Sequence, residues 1–221
     1  MGRPFNRIQM LLNKLVTLFK GGYMIAKRMF DIGFALTGIF LLSPLFVLIS
    51  LLIMTDTGLP IFYFQKRIGL QGKVFNLVKF RTMLVGADRL GYLTIGNTDK
   101  RITKTGYFLR KHKLDELPQL FNVLIGDMSF VGPRPEVSKY VKLYTSKQLR
   151  VLSIKPGITD WASIQFFNEN ELLARSEDPE KLYIKRIMPS KIEQNLNYID
   201  QRDMLTDVRI LFFTLKKLFK K

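Results

Sequence analysis

Between Ile32 and Thr55 the chain runs for 24 residues without a charged side chain. As one helix this run would reach about 36 Å, and about 20 apolar residues suffice to cross a bilayer. Ser43-Pro44 stands at its midpoint. Pro44 has no N–H, so the Phe40 carbonyl loses its helical donor, and the ring crowds that turn. A serine just before can bond back to a nearby carbonyl and relieve part of that cost in lipid. Two arms of roughly 17 Å result, each about half the hydrocarbon thickness.

The flanking charges bear on how the run is used. Arg3, Arg7, Lys14, Lys20, Lys27 and Arg28 precede it, and Lys66, Arg67, Lys73, Lys79 and Arg81 follow. Positive flanks stay cytoplasmic, so two of them are satisfied together when the chain enters and leaves by one face. A re-entrant helix broken at Ser43-Pro44 does this. A kinked spanning helix is the alternative, because proline is common in membrane helices.

The 221 residues hold 35 Lys and Arg against 18 Asp and Glu, a net charge of +17. Such a balance implies polyanionic partners: nucleic acid, anionic membrane lipids or a phosphorylated substrate. The absence of cysteine excludes disulfides and thiolate metal sites. With His112 as the lone histidine, a multi-histidine centre or a serine-hydrolase triad has no support. Hydrophobic residues make up 47%, which excludes a disordered basic tail.

Elsewhere the pattern changes along the chain. Ile8, Leu11, Leu12, Leu15, Leu18 and Phe19 form one apolar stripe, so the first segment reads as an amphipathic helix, packed on a core or lying in the bilayer interface. Ile61–Phe64 and Val74–Val78 read as a hairpin with a loose connection through Gly69 and Gly72. Residues 84–106 read as irregular, punctuated by glycines, and Asp99-Lys100-Arg101 has no fixed meaning by itself. A short helix follows Gly106 and ends near Lys113. From Glu136 the chain is mainly helical, interrupted at Lys155-Pro156-Gly157, with Asp178-Pro179 as one helix start. A last helix spans Asp203 to Phe219, its apolar side beside Lys216, Lys217, Lys220 and Lys221. Those lysines suit the helix dipole or an interfacial membrane contact equally.

The segment from Phe108 to Pro135 carries the chemistry. Asp115-Glu116 follows Arg110, Lys111 and Lys113, and Arg134 lies between Pro133 and Pro135. Asp115 is expected to cap a helix carrying Leu117, Leu120, Phe121 and Leu124, which would offer free N–H groups to a phosphate. A carboxylate can attack phosphorus, and fixed cations with Mg²⁺ can neutralise the non-bridging oxygens. Magnesium binds through one or two carboxylates plus substrate phosphates. The guanidinium of Arg134, on a backbone restricted by two prolines, is pre-aimed at such a group. A purely structural charge network fits these residues as well. His112, between two lysines, reads as a bystander.

Several blocks in order make a resemblance specific. They are Lys79-Phe80-Arg81-Thr82-Met83, Leu114-Asp115-Glu116-Leu117-Pro118-Gln119-Leu120, Gly126-Asp127-Met128-Ser129, Val131-Gly132-Pro133-Arg134-Pro135 and Lys155-Pro156-Gly157-Ile158-Thr159. Together they resemble the bacterial sugar transferases, and more narrowly the small monotopic phosphoglycosyl transferases. The resemblance implies transfer of a sugar 1-phosphate from a UDP-sugar to polyprenol phosphate, giving polyprenol diphosphate–sugar and UMP. It implies Asp115 as nucleophile and Mg²⁺ contact, and Glu116 as base or metal partner. Arg110 and Arg134 would hold phosphates, with Arg81 a further candidate, and Ser43-Pro44 matches the family's helix break.

Two stretches depart from the family pattern. Asp160-Trp161-Ala162-Ser163 stands where Gly-Trp-Ala-Gln is common, and Phe167-Asn168 where an arginine often precedes the asparagine. The divergent stretch from Asn170 to Gln201 is the expected seat of sugar specificity.

The fold expected is α+β and mainly helical, monotopic, with the re-entrant helix, interfacial helices and a small β-hairpin. It forms one membrane-associated domain over 1–221, comprising an interfacial helix (1–28), the re-entrant helix (29–56) and a cytoplasmic catalytic part (57–221). The expected site is the cytoplasmic face of a bacterial inner membrane, with oligomeric state undetermined and a homodimer as one option. Two rivals remain at this level, a non-catalytic basic membrane scaffold and a nucleic-acid binder. The second lacks any helix-turn-helix or RNA-binding signature.

Overall fold

The computed structural model describes residues 3–87 and 99–220, with side chains from residue 21 onward. The apolar stripe expected before residue 21, and Gly91 and Gly96 of the irregular stretch, lie outside the described side chains. Helix α1 covers Arg3–Thr57. It continues as helix through Ser43 and Pro44, so the expected break does not interrupt it. The Ser43 hydroxyl donates to the Phe40 carbonyl at 2.8 Å, the group that Pro44 deprives of its partner. That local repair is what lets helix persist on both sides of the proline.

Both ends of the apolar run are tied to one body. Near its start Arg28 donates to the Val123 and Leu124 carbonyls at 2.7 and 2.8 Å, and Asp31 accepts from the Ser129 hydroxyl and the Phe130 N–H. Near its end Asp56 accepts from the Thr105 N–H at 2.9 Å. Between them Gly38 faces Leu120 and the Phe46 ring meets Phe121 edge-on. The outer face is left bare: Phe40, Leu41, Val47, Leu48 and Leu51 are exposed. Only 11% of the most apolar window within Gly21–Thr57 is buried, which is the wrong value for the core helix of a water-soluble domain.

Strands β1 (Phe62–Ile68) and β2 (Val74–Phe80) form the expected antiparallel hairpin, paired from Phe62↔Phe80 to Ile68↔Val74. Helix α2 (Lys104–Lys111) starts two residues before Gly106 because Thr103 caps it, its hydroxyl accepting from the Gly106 N–H. Gly106 lies so close to the hairpin exit that a β-carbon there would stand 2.1 Å from the Thr82 carbonyl oxygen. A single 3₁₀ turn (Leu114–Glu116) leads to α3 (Gln119–Ile125). The buried Asn122 locks α3 to β2, donating to the Asn76 carbonyl and accepting from the Val78 N–H.

Beyond α3 come β3 (Ser129–Val131), α4 (Ser138–Val141) and β4 (Gly157–Thr159), and β3 pairs with β4 in parallel. This small sheet was not expected, since three-residue strands carry no readable alternation. Helices α5 (Trp161–Gln165), α6 (Glu169–Ala174), α7 (Pro179–Leu182), α8 (Met188–Gln201) and α9 (Met204–Phe219) complete the chain. Asp178 and Asp203 cap α7 and α9 as their positions before those helices predict. The largest core packs Val137, Tyr140, Leu173, Tyr183, Ile187 and Ile192 beneath α4–α8. A second joins Ile49 and Ile53 of α1 to Phe80 and Leu109.

Candidate active site

Asp115 does not cap α3. Pro118 occupies the residue before that helix, and Asp115 sits in the preceding 3₁₀ turn. The chain turns there because Lys113 adopts the left-handed conformation (φ 59°), ending α2 and reversing direction. The expected phosphate site on a helix N-terminus is therefore absent. In its place stands a side-chain constellation around a cavity of about 900 Å³.

Asp115 lines this cavity, is 7% exposed, and has no hydrogen-bond partner among the described residues. Burial raises its pKa above the ordinary 3.8, opposed by the charges of Lys79, Arg110 and Lys113 and assisted by that of Glu116. Glu116 differs sharply from its neighbour. Both of its oxygens accept from Arg134, and one also takes Lys79 Nζ at 3.2 Å. Burial pushes Glu116 up, yet the Arg134 and Lys79 charges overcome it and hold the carboxyl well below the usual carboxylate range. Adjacent carboxylates thus have opposite tendencies, set by burial at Asp115 and by the Arg134 and Lys79 charges at Glu116.

Arg134 is anchored from behind. Its own N–H donates to Asp160 Oδ2 at 3.1 Å, while Asp160 Oδ1 caps α5 through the Ser163 N–H. The departure from the family pattern at Asp160 therefore has a structural use. Gly132 and Gly157 permit the close crossing that carries the Pro-Arg-Pro segment: a β-carbon on Gly157 would lie 2.1 Å from the Gly132 nitrogen. Arg134 borders the cavity and keeps 37% of its side chain exposed. The Glu116 charge raises its pKa further, so its cation is permanent.

The structure brings Asp115, Glu116, Arg110 and Arg134 to one cavity wall. Arg81 also borders it, but its guanidinium faces elsewhere. It donates to the Thr57, Gly58 and Leu59 carbonyls and to the Thr57 hydroxyl, closing the C-terminal end of α1. This geometry gives Arg81 a capping part rather than the expected phosphate contact. His112 turns back on its own helix, with Nδ1 2.9 Å from the Phe108 carbonyl oxygen.

Lys79 and Lys113, read from the sequence only as parts of basic runs, prove to line the same cavity. Phe167, where an arginine was expected, lies within 5.5 Å of Lys113 Nζ and 5.9 Å of Lys217 Nζ, measured from the ring centre. The ring thus gathers two cations where the family pattern supplies one. On the far side Phe34, Gly38 and Leu42 of α1 border the cavity, so it reaches the apolar helix. Among the described residues no three acidic, histidine or cysteine side chains converge on a ready-made cation site.

The chain is similar to several known proteins over most of its length. The family model described as bacterial sugar transferase matches residues 22–221. An uncharacterized sugar transferase, EpsL, of Bacillus subtilis (strain 168) is 39% identical over 88% of this chain and 87% of its own length. A UDP-glucose:undecaprenyl-phosphate glucose-1-phosphate transferase of Xanthomonas campestris pv. campestris is 36% identical over 90% of this chain, which spans 41% of that protein. A putative undecaprenyl-phosphate N-acetylgalactosaminyl 1-phosphate transferase of Bacillus subtilis (strain 168) is 46% identical over 52% of this chain and 64% of its own length. With the family model extending from within α1 to the last residue, the chain belongs to the bacterial sugar transferase family.

Proposed function

We propose that the protein transfers a sugar 1-phosphate from a UDP-sugar to polyprenol phosphate through a covalent intermediate on Asp115. The observation that carries this reading is a buried carboxylate facing a cavity, with no hydrogen-bond partner among the described residues and four cations in the surrounding wall: Lys79, Arg110, Lys113 and Arg134. An Asp115 oxygen attacks the β-phosphorus, the bond from that phosphorus to the bridging oxygen breaks, and UMP leaves with that oxygen. A phosphate oxygen of the polyprenol phosphate then attacks the same phosphorus. The aspartyl–phosphorus bond breaks, releasing polyprenol diphosphate–sugar and restoring Asp115.

Arg110 and Arg134 bind and orient the phosphates, and Lys79 and Lys113 neutralise charge in a water-poor cavity. Asp115, which borders the cavity, fits as a magnesium ligand alongside substrate phosphates, whereas Glu116 already has both oxygens bonded to cations. Bound there, the ion would neutralise the diphosphate. Glu116 instead fixes Arg134 and Lys79, and its depressed pKa makes it a poor base.

The membrane reading rests on α1. A spanning helix carries one end away to the far leaflet, but here Arg28, Asp31, Asp56 and Thr57 all bond to the same body. That supports an apolar run that dips into the cytoplasmic leaflet of a bacterial inner membrane and returns, with +17 net charge favouring anionic lipids. The chain has no cysteine, so single-cysteine variants report topology directly. Met24→Cys and Leu59→Cys, both at exposed positions, should react with an impermeant maleimide from the same membrane face. Labelling from opposite faces would establish a spanning helix instead.

The reaction is tested with purified protein, Mg²⁺ and UDP-sugars. UMP should appear in a burst no larger than the enzyme concentration without polyprenol phosphate, and continuously with it. Chelation of the metal should abolish both phases. Continuous UMP release without the lipid acceptor would refute the two-step transfer.

A further inference from the structure

Most of the cations bordering the cavity are already bonded. Arg67 pairs with Glu136, Lys79 and Arg134 with Glu116, and Lys191 with Glu169, while Arg81 closes the end of α1. Arg110, Lys113 and Lys217 border it too, and among the described residues none of these three is paired with a carboxylate. Arg110 and Lys113 act on the Asp115 carboxyl. Lys217 is left over, supplied by α9 from far along the chain.

The turn before it fixes its place. The Thr214 and Thr159 hydroxyls meet at 2.7 Å and tie α9 to β4. Asp160, next after Thr159, anchors the Arg134 backbone. Three residues on from Thr214, the exposed Lys217 lies on the same side of α9 and borders the cavity, whereas Lys216 does not. Lys217 Nζ and Lys113 Nζ lie 5.9 and 5.5 Å from the centre of the one Phe167 ring. The ring therefore holds Lys217 near a cation that acts on Asp115. A ring attracts ammonium groups but supplies no countercharge, so an anion is still wanted between them.

The surface around Lys217 is apolar. Leu215 of α9 is 54% exposed and Phe34 of α1 57% exposed, and both border the cavity. Both helices pack on β3. There Phe130 stands edge-on to the Phe34 ring and packs against the core that contains Ile210 of α9. A cation among accessible apolar side chains suits an anion that carries a hydrocarbon tail. A UDP-sugar has no such tail, and each of its phosphates carries a single charge. A polyprenol phosphate is a monoester, close to dianionic at neutral pH.

We propose that Lys217, together with Lys113, binds the phosphate of the polyprenol phosphate acceptor, with the prenyl chain along Phe34, Phe130 and Leu215. The proposal rests on the reaction assigned above and names what receives its second substrate. Lys113 then serves both ends of the second step, acting on Asp115 and drawing the acceptor phosphate toward it.

The test uses the full chain and a UDP-sugar that it turns over. It measures the burst of UMP without acceptor, KM for the UDP-sugar, and KM for undecaprenyl phosphate. Lys217→Gln should raise KM for undecaprenyl phosphate about tenfold, the usual effect of deleting one hydrogen bond to a charged group. The burst and KM for the UDP-sugar should stay within about twofold, because the first step does not use this contact. Lys217→Arg keeps the charge and should restore most of the affinity. Lys216→Gln removes the same charge one residue away and should leave all three quantities within about twofold.

An unchanged KM for undecaprenyl phosphate in Lys217→Gln would overturn the proposal. Equal rises in Lys216→Gln and Lys217→Gln would overturn it as well, as a general attraction between the end of α9 and anionic lipid. A weaker burst with a raised KM for the UDP-sugar would also overturn it, placing Lys217 on the nucleotide's phosphates. If the unaltered protein releases UMP from no UDP-sugar, the reaction assigned above fails first and takes this inference with it.

Discussion

Asp115→Asn should abolish UMP release, burst and turnover alike, while the protein remains bound to membranes. The amide cannot form the acyl phosphate, and losing a covalent nucleophile commonly costs on the order of 10⁴-fold or more. Three measurements make the result specific. The variant should still sediment with anionic vesicles, because α1 and its ties to the body do not involve Asp115. It should trap no radiolabelled phosphosugar on the protein. It should also unfold at a higher temperature than the wild type at neutral pH.

The rise in stability follows from linkage. Burial raises the folded-state pKa of Asp115 above its ordinary 3.8, so the folded protein holds that proton more tightly than the unfolded chain. Its contribution to stability is fully present below the ordinary value and is lost as pH rises through the raised one. At neutral pH the charge opposes folding, and asparagine removes it. Each kcal/mol relieved lifts Tm by roughly 2–4 °C in a chain of this size. The same shift predicts that wild-type turnover falls on acidification at a pH above the ordinary aspartate range, as the nucleophile takes up its proton. Full activity in Asp115→Asn would refute the covalent mechanism and favour a scaffolding role.

Arg134→Ala should lower kcat/KM for the UDP-sugar by about 10²–10³-fold, the usual cost of losing one preorganised donor to a developing charge. Arg134→Lys should recover only part of this, because an ammonium lacks the planar fork that grips two oxygens. Either change weakens the hold on Glu116, which then keeps Lys79 as its hydrogen-bonded cation. A double-mutant cycle with Glu116→Gln should therefore be far from additive. If Arg134→Ala and Glu116→Gln combine additively, the pair does not act as a unit and Glu116 has a separate part in the reaction.

The apolar run, its central proline, the hairpin, the last helix and the carboxylate pair set among cations were all legible in the residues. Each is encoded locally, by periodicity, by a missing N–H, or by a capping aspartate before a helix. The Ser43 bond to the Phe40 carbonyl was inferable for the same reason, since it joins residues three apart. Asp115 lies in a 3₁₀ turn and not at the start of α3, because a 3₁₀ turn and a short helix share one sequence pattern and differ only in where the chain reverses. The parallel pairing of Ser129–Val131 with Gly157–Thr159 was invisible, since each strand is too short to show a period.

What only the tertiary structure decided is how identical charges divide their work. Arg81 and Arg134 have the same side chain, yet one closes the end of α1 and the other faces the cavity beside Glu116. Asp115 and Glu116 are neighbours, yet burial raises the pKa of one while two cations lower that of the other. Coulombic and desolvation energies depend on distance and burial, which link residues far apart in the chain. A sequence names the charges, and the fold determines which of them meet.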